Sequence, residues 1–273
     1  MRDTPRPQGT VGDTGTGPPQ LRPGRALAHT PGASGSESPH RSDGRSPQTP
    51  RGARHTDPDG GPGTSPPVPG SPTFLLLFCF LGLPALLLAL ITWQVVVRGP
   101  LARVDERLSD ALVDRHGFAD FLADLGNVTV AVPVMTVVLL HVAVRARRAG
   151  RDRWWVPSVA AGVLMLLVPA LVIPLKELID RPGPPIMGPG TGWYPSGHTA
   201  TACVAYGGAL LVLWPWLRGP RVRGPIALVC VVLNLAVPAG LIRMGYHWPL
   251  DVVASWCLCA MLLFALWLFL RRR

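Results

Sequence analysis

The chain has 273 residues, 48% of them apolar and only 15% charged, with a formal net charge of +10. A soluble domain carries about 25% charged residues, so an ordinary water-soluble globule is excluded for most of the length. The positive charge does not imply a nucleic-acid partner, because many of the arginines stand in short connections between apolar runs, where they act as topology signals.

Residues 1–71 form the first region. The first seventy hold 14 Pro, 13 Gly and no aromatic residue. Such a stretch buries too little apolar surface to offset its ordering entropy, so a disordered cytoplasmic tail is expected. It does not read as a signal peptide, since its first apolar run begins only near residue 73.

Residues 72–273 read as an all-α membrane domain. Six apolar runs cover approximately 73–97, 126–144, 155–175, 198–217, 225–242 and 250–270. Each approaches the ~20 residues that cross ~30 Å of hydrocarbon as a helix. Lipid offers no partner to backbone N–H and C=O groups, so runs of this kind span as helices. Between the first two runs, Leu101, Val104, Leu108, Ala111 and Leu112 recur at helical spacing among charges. That pattern predicts an amphipathic helix lying at the interface. Cys79, Cys203, Cys230, Cys257 and Cys259 all lie inside apolar runs and read as small buried residues.

Charge asymmetry predicts the orientation. The second connection holds Arg145, Arg147, Arg148, Arg151 and Arg153 against one Asp, and the fourth holds Arg218, Arg221 and Arg223 with no acid. The chain closes on Arg271, Arg272 and Arg273. The positive-inside rule therefore places these loops and both termini in the cytoplasm. Connections one, three and five then face outward.

The chemistry-bearing residues gather in connections three and five. Lys176 is the one lysine among 26 strong bases, at the end of a span, where a compact ammonium suits phosphate oxygens. Pro195-Ser196-Gly197-His198 opens the fourth span. Ser196 is the natural N-cap, which leaves Gly197 and His198 in a first turn able to bind an anion. His198 beside that anion is a candidate proton donor and acceptor. Asp251 follows His247 by four residues, close enough to accept its Nδ1–H, fix the tautomer and leave Nε2 as a nucleophile.

On these residues the sequence resembles the type 2 phosphatidic acid phosphatase family, related to vanadium haloperoxidases, over roughly residues 74–270. The family carries K-x6-R-P, P-S-G-H and S-R-x5-H-x3-D in this order. Lys176 matches the start of the first motif, Pro195 to His198 the whole of the second, and His247 with Asp251 the end of the third. The resemblance implies a six-helix core and a metal-independent, cofactor-free phosphatase working through a phosphohistidine. In it His247 attacks phosphorus, His198 serves as general acid, and Lys176, Ser196 and Gly197 hold the phosphate.

Two of the three motifs depart from the pattern. Gly183 stands seven after the lysine, where the family has arginine, and Gly240-Leu241 stands in place of Ser-Arg. Arg181 and Arg243 are therefore expected to reach the same phosphate from displaced positions. Polyprenyl pyrophosphate, phosphatidic acid and phosphatidylglycerophosphate all remain open as substrates, with an outward site favouring the polyprenyl carrier. A silent lipid-phosphate binding or transport protein, or a phosphoryl transferase using the same residues, is the alternative. Oligomeric state is not legible in the sequence.

Overall fold

The computed structural model describes residues 72–272; the tail expected over residues 1–71 lies outside them. The described residues form helices and no strand. We number the main ones α1 (Pro72–Val96), α2 (Pro100–Leu112), α3 (Gly117–Asp124), α4 (Val128–Arg148), α5 (Val156–Ile179), α6 (Gly197–Leu213), α7 (Pro220–Arg243) and α8 (Pro249–Arg271). Six of them are long and apolar enough to cross a membrane, α6 being extended by a 3₁₀ turn at Trp214–Trp216. These correspond to the six expected runs.

The boundaries follow local chemistry. Helix α1 passes through a π-helical turn at Phe78–Gly82 just before Pro84, which has no N–H to offer the carbonyl four residues back. Asn127 caps α4 by accepting the Thr129 N–H at 3.2 Å. Helix α7 starts earlier than its apolar run, with Gly219 in the left-handed region (φ 79°) and Pro220 at the first helical position. Proline is pre-organised there, so the first turn takes in Arg221 and Arg223 as well.

The amphipathic segment divides into α2 and α3, separated at residues 113–116. In α2 the apolar residues Leu101, Val104, Leu108 and Leu112 are exposed, while Ala102, Asp105 and Ser109 are buried. The face turned to the protein is thus the small and polar one.

Helix α6 occupies the middle, packed against α4, α5, α7 and α8. More than half of it is buried, against about a tenth of α1. Its buried face is built from Ala200, Ala202, Ala205, Gly208 and Ala209 with Val204 and Val212. Small side chains let neighbouring helices approach closely where no hydrophobic driving force separates helix from lipid. Helix α3 packs against α7 with similar closeness: a Cβ on Gly240 would lie 2.5 Å from both the Ala119 oxygen and the Ala123 nitrogen.

Candidate active site

The start of α8 builds the first part of the site. Pro249 occupies the first helical position, and Asp251, two residues on, turns back to accept the Trp248 N–H at 3.2 Å. The same Oδ2 lies 3.2 Å from His247 Nδ1. Asp251 is fully buried and His247 nearly so. With Nδ1 held by a carboxylate, the ring presents Nε2 away from Asp251, and His247 lines the neighbouring cavity.

The start of α6 supplies the second part. Ser196 Oγ accepts the Thr199 N–H at 3.3 Å, and the Ser196 N–H donates to the Asp251 carbonyl at 3.1 Å. Ser255 Oγ lies 2.8 Å from the Ser196 oxygen and 2.9 Å from the Asp251 oxygen, pinning the two helix starts together. Ser196 is thereby consumed as a buried junction and does not line the cavity. Among the described residues the Gly197 and His198 N–H groups have no acceptor, and they sit at the positive end of α6. The His198 side chain is exposed on the cavity and makes no hydrogen bond among the described residues.

Lys176, in the last turn of α5, closes the polar end of the cavity. Its Nζ donates to the Gly192 carbonyl at 2.8 Å and lies 6.0 Å from the Trp193 ring centre. Trp193 also sets its indole edgewise to His247, with ring centres 5.6 Å apart.

The cavity encloses about 680 Å³ between α4, α5 and α6. Lys176, Trp193, Gly197, His198 and His247 form one end; Val128, Val132, Met165, Leu166, Pro169 and Ile173 form an apolar wall. Val128, Leu166 and Ile173 are exposed, so the wall continues into the surface that a bilayer would cover.

The two arginines expected at the phosphate do not line this cavity. Arg181 is buried behind Asp251, with Nη1 2.5 Å from Asp251 Oδ1 and Nη2 2.7 Å from Asp105 Oδ2. Its guanidinium also lies 5.5 Å from the Trp248 ring centre. Burial works to lower the Arg181 pKa, but Asp251 and Asp105 outweigh it and hold the group above its ordinary range. Burial pushes the Asp105 carboxyl up, against the opposing pull of Arg181 and of the Leu250 N–H, which Asp105 Oδ1 accepts at 2.8 Å. One guanidinium is thus shared between two buried carboxylates. Arg243 is half exposed, its Nη2 3.6 Å from Asp114. The expectation that both arginines clamp the phosphate from displaced positions is not what this arrangement presents.

Both departures from the family pattern have a steric reason. A Cβ on Gly183 would stand 2.5 Å from Trp193 Nε1, so the indole fills the space a longer side chain would need. A serine at 240 would strike the α3 backbone, and Leu241 beside it is packed in the core.

Sequence reasoning missed Asp105, Trp193 and Tyr194. Asp105 was signalled by Ala102, Asp105 and Ser109, a small and polar stripe at helical spacing opposite the apolar one. Tyr194 is fully buried, its hydroxyl 2.7 Å from Thr92 Oγ1. Burial raises its pKa to about 12, so it stays a neutral structural phenol.

Residues 157–273 match the model of the PAP2 superfamily. Among solved structures, the chain is similar to a transmembrane PAP2 type phosphatidylglycerolphosphate phosphatase from Bacillus subtilis. The similarity has a TM-score of 0.57 at 20% identity and covers 69% of this chain and 96% of that one. At this identity the likeness is one of fold. No curated protein matches the chain.

Proposed function

We propose, from the PAP2 superfamily match over residues 157–273 and the geometry above, that this chain is an integral membrane lipid phosphatase working through a phosphohistidine. The PAP2 fold supports phosphatase chemistry in general. The finer reading rests on one observation: a single cavity joins a cationic, imidazole-bearing end to an apolar wall open toward lipid. That is the shape of an amphiphile with a phosphate head.

The head is held by Lys176 and by the free N–H groups of Gly197 and His198. His247 Nε2 attacks phosphorus, a P–N bond forms and the bond to the lipid oxygen breaks. His198 passes a proton to that leaving oxygen. Asp251 accepts the Nδ1–H throughout and stabilises the charge that the ring acquires. Water then attacks the phosphohistidine, His198 takes its proton, and the P–N bond breaks to release inorganic phosphate. The charge asymmetry of the loops supports an outward-facing site reached from the outer leaflet.

Among the described residues Lys176 is the one strong base lining the cavity, so binding without turnover is the second reading. Purified protein is given phosphatidic acid, phosphatidylglycerophosphate and a polyprenyl pyrophosphate in detergent, and phosphate release is compared with that of His247→Ala. Release by the wild type alone supports the phosphatase. Binding without release supports the silent protein, and equal release by both removes His247 from the reaction. Reaction of a residue-190 label with a cytoplasmic reagent would overturn the outward site.

A further inference from the structure

Behind His247 lies a chain of buried charges that reaches out of the six long helices altogether. Asp251 holds the ring, Arg181 holds Asp251, and Asp105 of α2 holds Arg181. All of these side chains are 5% exposed or less. Asp105 also accepts the Leu250 N–H in the first turn of α8. The two carboxylates thereby grip Trp248 and Leu250, on either side of Pro249 where α8 begins directly after His247, since Asp251 accepts the Trp248 N–H.

The charge count gives this arrangement a consequence. Arg181 alone would neutralise Asp251 and leave the nucleophile without a net counter-charge. With Asp105 ionised, the two carboxylates and one guanidinium carry a net −1, and the cluster becomes neutral when His247 turns cationic. In a site of low dielectric that residual charge offsets the positive charge the ring acquires as its P–N bond forms.

We propose that Asp105, on the helix between the first and second spans, is a positioning residue for His247, acting through Arg181 and Asp251 to preserve a negative counter-charge behind the phosphorylated imidazole. Arg181, in this arrangement, orients Asp251 instead of binding phosphate. The inference rests on the phosphatase reading. Besides the cluster itself, Lys176 and His198 face His247 across the cavity, Asp124 stands near His198, Asp120 accepts the hydroxyl of the neighbouring Tyr246, and the neutral Tyr194 phenol lies near Asp251 and Arg181. Among the described residues none of these makes a hydrogen bond or ion pair with the His247 ring, which Asp251 alone holds. Asp105 also ties α2, whose exposed face is apolar, to the chemistry.

The test is a charge cycle in the full-length protein. Asp105→Asn removes the extra negative charge. The acid limb of kcat/KM against pH should then move to lower pH by about one unit, and kcat should fall about tenfold. The double variant D105N/R181Q leaves Asp251 alone and so restores the net −1, although it loses both ion pairs. Its acid limb should return toward the wild-type position even if its melting temperature is lower. A purely structural role predicts the reverse: a lower melting temperature in both variants, with the acid limb unmoved. An unmoved limb in D105N, or a double variant that keeps the D105N limb, overturns the proposal. If the wild type binds lipid phosphate without releasing phosphate, the phosphatase reading fails instead, and if His247→Ala retains full activity its phosphohistidine step fails; both outcomes are separate from these.

Discussion

The two ends of the helical bundle treat arginine in opposite ways. At the end away from the site, Arg145 and Arg151 lie over Trp216 at 5.4 and 5.3 Å, and Arg147 lies over Trp154 at 5.6 Å. Arg223 over Trp214 and Arg271 over Trp267 repeat the pattern at 5.1 and 5.0 Å. Among the described residues no carboxylate is within ion-pair distance of any of them. These guanidiniums keep water or headgroups on one side and an aromatic face on the other, at little desolvation cost. At the site end, Arg181 is stripped of water and clamped between two carboxylates. The contrast separates arginine stacked on an exposed aromatic face from arginine buried in the framework of the proposed site.

Substitutions sharpen this contrast. The largest effect is expected from His247→Ala, which should lower phosphate release by about 1,000-fold or more in an initial-rate assay. Arg181→Ala comes next, because it leaves two carboxylates buried without their cation. It should cost about 3–5 kcal/mol, read as a melting shift in detergent. Arg151→Ala, at the other end, should cost less than about 1 kcal/mol in the same experiment. Equal losses for the two arginines would erase the distinction between the ends.

Lys176→Ala should lower kcat/KM about 100-fold, since it removes the one strong base that lines the cavity among the described residues. Gly240→Ser, which moves the chain toward the family pattern, should instead destabilise it by about 1–3 kcal/mol through overpacking against α3. The smallest effect belongs to Arg243→Ala. Its pairing with Asp114 is exposed, so activity should change by less than about twofold. A loss comparable to that of Lys176→Ala would return Arg243 to the phosphate.

Much of the architecture was legible from residue order. Each span is a local property: about twenty apolar residues must become a helix in lipid, whatever surrounds them. His247 and Asp251 stand four residues apart across the start of α8, and Ser196 directly precedes its helix, so their roles as paired side chains and cap need no distant partner. The apolar stripe of α2 was equally plain. Its direction was not, because periodicity reports that a helix has two faces without saying which one meets protein.

What the sequence determined by itself, then, is the six helices and the placing of Lys176, His198, His247 and Asp251 at span ends. The tertiary structure decided what the arginines do. Arg181 meets carboxylates 70 and 76 positions away, and the same guanidinium chemistry would have served a phosphate equally well. Trp193 against Gly183 and α3 against Gly240 decided it sterically. Hydropathy and capping act over one helical turn or one span, whereas ion pairing and close packing depend on which distant surfaces assembly brings together.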